Sequence, residues 1–279
     1  MKQLYDTYSR RASAAVTKAY STSFFAGVRC LDKSIRDDIH AIYGFVRFAD
    51  EIVDSFHGFN KTELLSEFRR DTCQAIQRGI SLNPILQSFQ ECVHKYAIDS
   101  YLIDQFFASM EMDLSYTEHT VESYNTYIFG SAEAVGLMCL KVFVSGDELK
   151  FDQLAPYARK LGSAFQKINF LRDLKDDVNG LGRLYFPHVL SPAQISLQEK
   201  LAIEEEIEAE FQEAYLGIIQ LPKSARFGVY LSYVYYLKLL RKIKRRTIQE
   251  LMEERISVSN NAKLFLLCKS YFLNSINYV

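Results

Sequence analysis

Two stretches of this chain carry carboxylates at a spacing that can do chemistry. Residues 39–56 read IHAIYGFVRFADEIVDSF. On a helix turning roughly 100° per residue, Tyr43, Arg47, Asp50 and Asp54 share one narrow stripe. Ile42, Phe45, Val46, Ala49, Ile52 and Val53 cover the other side. Alone, this is an amphipathic helix with a solvated polar face. Residues 157–177, YARKLGSAFQKINFLRDLKDD, repeat the pattern. Gly162, Gln166, Asn169, Asp173 and Asp177 form a second stripe, with Leu161, Ala164, Ile168 and Leu171 opposite. Two carboxylates at i and i+4 repel each other unless a cation lies between them. Magnesium suits such a pair, because it takes one or two carboxylates and fills its shell with water and substrate phosphate. Two pairs, one beside Arg47 and one beside Gln166 and Asn169, suit diphosphate chemistry. Metals there would neutralise charge on a departing anion while an apolar wall holds a hydrocarbon.

The elements that must position these stripes are helices. The chain has 279 residues, 48% of them hydrophobic, with only 12 glycines and 5 prolines. That balance excludes an intrinsically disordered chain and disfavours a loop-rich β-sandwich. Asp32 or Ser34 can cap a helix running to about Phe56, and Asn60 with Glu63 has capping-box spacing. Asn83-Pro84 puts proline at a first helical position, and Asp99, Thr120, Asp147 and Ser259 precede further apolar-periodic runs. No strand signal stands out. A loop is expected from Asn179-Gly180-Leu181-Gly182 through Pro187 and Pro192. The expected fold is all-α: one domain over residues 1–279, with about eight to ten helices.

Net charge is −1, so no global field draws the protein to nucleic acid. Cys30, Cys73, Cys92, Cys139 and Cys268 are scattered without C-x-x-C spacing, which fits buried thiols in a reducing cytoplasm. The N-terminal MKQLYDTYSRRASAA lacks the apolar stretch of a signal peptide. The apolar run from Phe227 to Leu240 is interrupted by Lys238 and too short to span a bilayer. The expected location is therefore the cytoplasm. A basic run, Arg241, Lys242, Lys244, Arg245 and Arg246, follows aromatic residues 230–236. It reads as an ordinary helix end, with contact at an anionic membrane face as the alternative. Glu204-Glu205-Glu206 is expected to face solvent.

With those residues in hand, the sequence resembles the squalene/phytoene synthase family, the head-to-head prenyl transferases. The matching pieces are Tyr20-Ser21-Thr22-Ser23-Phe24, Ala41-Ile42-Tyr43 through Arg47, and the D-x-x-x-D of Asp50 to Asp54. Gln166-Lys167-Ile168-Asn169-Phe170-Leu171-Arg172-Asp173 follows, then Gly182-Arg183-Leu184-Tyr185-Phe186-Pro187. They occur in family order over nearly the whole chain.

The resemblance implies an isoprenoid-synthase-type helical bundle around a central cavity, and a Mg²⁺-dependent prenyltransferase, using several ions with Mn²⁺ as a substitute, that joins two allylic prenyl diphosphates at their C1 ends. It implies Asp50, Asp54, Asn169, Asp173 and Asp177 as metal ligands. Tyr20, Ser21, Thr22, Ser23, Tyr43, Arg47, Gln166 and Arg172 would contact the diphosphates or the adjoining chain. Tyr127, ahead of the small-residue stretch Gly130-Ser131-Ala132, resembles a residue of the family's kinked cavity helix. Tyr236 resembles a tyrosine near the leaving diphosphate, with Tyr235 as the alternative register, and Arg255 is a further candidate for phosphate contact. The fit is to a phytoene synthase acting on two geranylgeranyl diphosphates in carotenoid biosynthesis. Squalene and dehydrosqualene synthases, which act on farnesyl diphosphate, share every motif quoted, and neither NADPH use nor oligomeric state is legible. A class I terpene cyclase would also use acidic motifs, but has no need of the Tyr20–Phe24 segment or Arg47. A non-catalytic helical partner protein would be free to lose the aspartates that are present here.

Overall fold

Helix caps expected from the sequence are in place and set the element boundaries. The computed structural model describes residues 1–115, 119–181, 183–187, 195–259, 262–263, 265–267 and 270. Gly182, Pro192 and Cys268 lie outside the described residues. The order is α1 (Lys2–Tyr20), α2 (Thr22–Arg29), α3 (Lys33–Ser55), α4 (Lys61–Arg78), α5 (Pro84–Tyr96) and α6 (Ser100–Ser115). Then come α7 (Val121–Ile128), α8 (Ala134–Phe143), α9 (Glu148–Arg172) and α10 (Leu174–Asp176). After these follow α11 (Leu197–Ile218), α12 (Lys223–Ile243) and α13 (Ile248–Glu253). There is no strand among the described residues, so the all-α expectation holds. Asp32 accepts from Ser34 N, Asn60 from Glu63 N, Asn83 from Ile85 N and Asp147 from Lys150 N. Each satisfies an amide that the helix itself leaves orphaned.

The thirteen α-helical segments among the described residues exceed the expected eight to ten, in part because wide turns interrupt long helices. A π turn at Phe129–Glu133 joins α7 to α8. A second π turn, Asp177–Leu181, stands where the sequence suggested a loop. Arg183 N donates to Asp177 O at 3.0 Å and closes that turn. Residues 121–143 are apolar enough to cross a membrane by length and composition (mean hydropathy 1.3), a stretch the reading of 227–240 passed over. Half of that window is buried within the protein. The helix is held there by close contacts: a Cβ on Gly130 would meet Gln105 O at 2.2 Å, and one on Gly162 of α9 would meet Ala132 O at 2.7 Å.

Two apolar cores flank the interior. In the first, Phe45 of α3 stacks on Phe89 at 3.9 Å and meets Phe106 and Phe107 at 5.2 and 5.5 Å. The second joins Ile168 and Leu171 of α9, Ile207 and Phe211 of α11, and Leu239 and Leu240 of α12. Helices α3, α9 and α12 run the same way. Asp32 N at the start of α3 donates to Ser224 O at the start of α12, while further along Phe165 stacks on Tyr236 at 3.9 Å. The C-terminal ends of α3 and α9 therefore meet at one end of the bundle, adding the negative ends of two helix dipoles to the carboxylates already there.

Two expectations are corrected. Cys73 is exposed, not buried; Cys92 is buried, and Cys30 and Cys139 are half-buried. Glu204 is buried, because Lys200 one turn earlier pairs with it and the two charges enter the interior together.

Candidate active site

The carboxylate stripes of α3 and α9 face each other, because their opposite faces are locked into the cores. Ile42, Phe45, Ala49 and Val53 are buried on α3, as are Ala164, Ile168 and Leu171 on α9. That leaves Asp50, Asp54, Asp173 and Asp177 on the wall between. Asp177 feels Asp173, Asp54 and Asp113, and Asp50 feels Asp54 and Asp113. Asp50 keeps 33% of its side-chain surface open although protein surrounds it closely. Burial, then Asp54, push the Asp50 carboxyl up to about 7 against the pull of Arg47. Burial, then Asp173 and Asp54, push Asp177 up to about 7.

Arginines answer part of this charge. Arg47 gives Nη2 to Glu51 at 2.5 Å, holds Nη1 3.8 Å from Asp50, and lies 4.4 Å over the Tyr20 ring. Its buried Nε finds no partner among the described residues. Asp173 pairs with Arg172, its chain neighbour, and with Arg255 at 2.6 Å. Burial alone would raise Asp173; the two arginines outweigh it and hold the carboxyl below its ordinary value. Arg183 reaches Asp54 at 2.8 Å.

The remaining site residues are distributed around this cluster. Tyr236 donates to Asn169 Oδ1 at 3.3 Å, and Asn169 donates to Gln166 at 3.4 Å. Tyr235 instead takes a hydrogen bond from Ser23 at 3.2 Å, so Tyr236 joins the α9 stripe and Tyr235 faces α2. Tyr43 stacks on Phe24 at 4.8 Å, and burial pushes its hydroxyl up to about 12. Ser21 caps α2 by accepting from Phe24 N. Thr22 and Tyr20 are exposed at the α1–α2 corner.

Three residues of the cluster were not singled out from the sequence. Asp113 of α6, with 5% of its side chain exposed, accepts from Tyr185 at 2.8 Å and Tyr127 at 3.0 Å and lies 3.5 Å from Arg183. Tyr127 thus hydrogen-bonds inside a buried hub. An aspartate set between Met112 and Leu114 was the available signal, since an acid that is buried demands a partner. Arg183 and Tyr185 were visible only as family letters.

The carboxylates come in pairs. Among the described residues no three His, Cys, Asp or Glu side chains form a group that could hold a metal ion by themselves. Open pairs of carboxylates suit an ion that completes its shell with water and diphosphate. Asp50 and Asp177, held near neutrality by burial and like charge, are carboxylates that a cation would stabilise. Elsewhere, a cleft of about 450 Å³ between α7 and α11 holds only Glu199 and Glu206 as acids. Both are engaged, by Ser196 and Lys167, so it is not an acidic site of this kind. In the basic run, Lys244, Arg246 and Lys242 bind Glu208, Glu250 and Ser257 O within the chain.

Comparison with known proteins gives the family and the fold. A sequence model of the squalene/phytoene synthase family matches residues 17–262. A presqualene diphosphate synthase of Rhodopseudomonas palustris is 30% identical over 62% of this chain and 60% of its own length. Tomato (Solanum lycopersicum) phytoene synthase 1 is 26% identical over 96% of this chain and 68% of its own. The chain thus matches about six- to seven-tenths of the length of these two relatives. Among solved structures, a ligand-bound dehydrosqualene synthase superposes with a TM-score of 0.83 at 18% identity, covering 98% of this chain and 99% of that one. Squalene synthase HpnC from Alicyclobacillus acidocaldarius gives 0.76 at 18% identity, covering 87% and 95%. At that identity the two structures speak for the fold.

Proposed function

The chain belongs to the squalene/phytoene synthase family, and from that premise we propose that it joins two allylic prenyl diphosphates at their C1 ends, with two geranylgeranyl diphosphates giving phytoene. The observation that carries the reading is the meeting of two i, i+4 aspartate pairs from separate helices, ringed by Arg47, Arg172, Arg183 and Arg255. Asp50, Asp54, Asn169, Asp173 and Asp177 would hold Mg²⁺. When bound, the ions supply positive charge to the departing diphosphates.

The chain's own residues do the rest. Arg47, with its Nε unspent, and Arg172 offer guanidinium donors to phosphate oxygens, for which the planar fork is well matched. Stacked aromatics at Phe165–Tyr236 and Phe24–Tyr43 give the cavity π faces that stabilise a carbocation. Apolar walls exclude the water that would quench it. In this reading one substrate loses diphosphate to leave an allyl cation, the C2–C3 double bond of the second attacks it, and a proton leaves C1 of the second to close the three-membered ring. The cyclopropylcarbinyl diphosphate so formed ionises, rearranges to a 1–1′ linkage and loses a proton.

Phytoene is favoured because the named plant relative aligned with nearly the whole chain is a phytoene synthase. The squalene-type names of the superposed structures, and the presqualene diphosphate synthase, make farnesyl diphosphate the second reading. Purified protein with Mg²⁺ is incubated with geranylgeranyl or farnesyl diphosphate, with and without NADPH, and products are identified by mass. A C40 hydrocarbon without NADPH is expected. A C30 product from farnesyl diphosphate alone moves the assignment to squalene or dehydrosqualene synthesis, and no coupled product overturns it.

A further inference from the structure

Arg183 stands at a branch point between two carboxylates of unlike surroundings. Its Nη1 lies 2.8 Å from Asp54 Oδ1 and 3.5 Å from Asp113 Oδ1, while Nη2 donates to Val53 O at 3.1 Å. Asp54, on the last turn of α3, keeps 37% of its side chain exposed; Asp113 keeps 5%. Asp113 is also held still, with Tyr185 donating to Oδ1 at 2.8 Å and Tyr127 to Oδ2 at 3.0 Å. Phe170 stacks on Tyr185 at 4.3 Å and fixes that hydroxyl in turn. A guanidinium presents five donors in a rigid fork, more than one carboxylate can use. With the Val53 carbonyl as pivot, a small rotation carries Nη1 from one acid to the other.

We propose that Asp113 is a positioning residue that serves as the second seat for Arg183, onto which the guanidinium moves when a divalent cation takes Asp54. The inference rests on the metal reading of Asp54 given above. Its logic is one of exchange. Arg183 has only 10% of its side chain exposed, so a cation that displaced it from Asp54 would strand a buried positive charge. Stranding a buried ion costs far more than exchanging its partner. Asp113 makes the displacement an exchange. Without its charge, Arg183 would cling to Asp54 and compete with the metal.

The test needs no turnover. The melting temperature is followed as Mg²⁺ is titrated at fixed inorganic pyrophosphate, which gives a half-point for each variant. Asp113→Asn keeps the size and an acceptor for a tyrosine but removes the charge. Its half-point is expected to rise about tenfold, the scale of one lost favourable charge contact. Asp113→Asn with Arg183→Met removes seat and competitor together, and the half-point is expected to return to within about threefold of the wild type. An unchanged half-point in Asp113→Asn overturns the proposal. So does a raised half-point that the double variant fails to restore, for then Asp113 supports the site by packing alone. Should Asp113→Asn not fold, Arg183→Met by itself reads the same competition. Its half-point should fall, and a rise overturns the proposal. A wild-type protein whose melting never responds to Mg²⁺ would instead remove the metal reading of Asp54, and the inference with it.

Discussion

The two aspartate pairs share a spacing but not a setting. On α3 the helix is regular, Asp54 is locked by the buried Arg183, and Asp50 is left near neutrality. On α9 the pair straddles a break, since Asp173 ends the helix at φ −98°, ψ 7°, and Asp177 opens a π turn. There Asp173 is locked, by Arg172 and Arg255, and Asp177 is left near neutrality. Each pair thus has one member satisfied by arginine and one frustrated by burial and like charge. The lesson is a division of labour. In the metal reading proposed above, the locked member keeps the pair folded until a cation arrives, while the frustrated member would supply the first attraction for it.

The strongest way to break that comparison is to remove the frustrated members. Asp50→Asn and Asp177→Asn should each lower kcat by about a thousandfold or more, because transition-state charge loses its metal anchor. Metal-free melting should hold steady or rise, since each change deletes a desolvated, repelled charge. Kinetics beside calorimetry in chelator checks both. The locked member should behave otherwise: Asp173→Asn takes the carboxylate from Arg172, leaves Arg255 only Asp176 at 3.8 Å, and should cost about 1–3 kcal/mol of stability as well as activity. If all three variants melted alike, the division of labour would be wrong.

pH sharpens the same contrast. Asp50 and Asp177 titrate near 7, well above their value in an unfolded chain. Between the ordinary carboxylate range and pH 7 the folded metal-free protein therefore binds more protons than the unfolded one. From these two groups, stability is greatest at low pH and is lost as pH rises through 7. Cation binding has the opposite sign, because it must displace those protons. Affinity for Mg²⁺ with pyrophosphate should climb from about pH 6 to 8 and then level, releasing up to about two protons. Calorimetry in buffers of different ionisation enthalpy counts them, and a flat profile would deny the frustration.

Much of this was legible in the sequence, for physical reasons. Asp50, Asp54, Asp173 and Asp177 announce themselves because i, i+4 acids on an otherwise amphipathic helix conflict with a simple surface role. Caps such as Asp32, Asn60 and Asn83 are read directly because the residue type that satisfies an orphan amide is distinctive. The π turn at 177–181 was not legible, as periodicity cannot register one extra residue in a turn and Asn-Gly argues locally for a loop. Arg183 and Asp113 were missed because their partnership spans distant stretches of chain and only the fold brings them together. Glu204 misled for the related reason that a run of three acids looks solvated until its Lys200 partner is seen.

The gentlest test separates the two locks by their exposure. Arg183 keeps 10% of its side chain exposed and Arg255 keeps 57%, although both pair closely with an aspartate. An exposed pair is screened by water and adds little stability, whereas a buried arginine cannot be removed without stranding its partner. Arg255→Gln should therefore change melting by less than about 0.5 kcal/mol. Asp173 retains Arg172 in that variant, so the α9 pair stays assembled and kcat should hold. What should move is KM, upward about threefold, because a cation at the rim that helps draw in the diphosphate is lost while the reacting centre is intact. The KM shift should also shrink as salt is added. A fall in kcat equal to the rise in KM would instead place Arg255 against the leaving diphosphate in the transition state. That would make the α9 lock part of the chemistry, whatever its exposure.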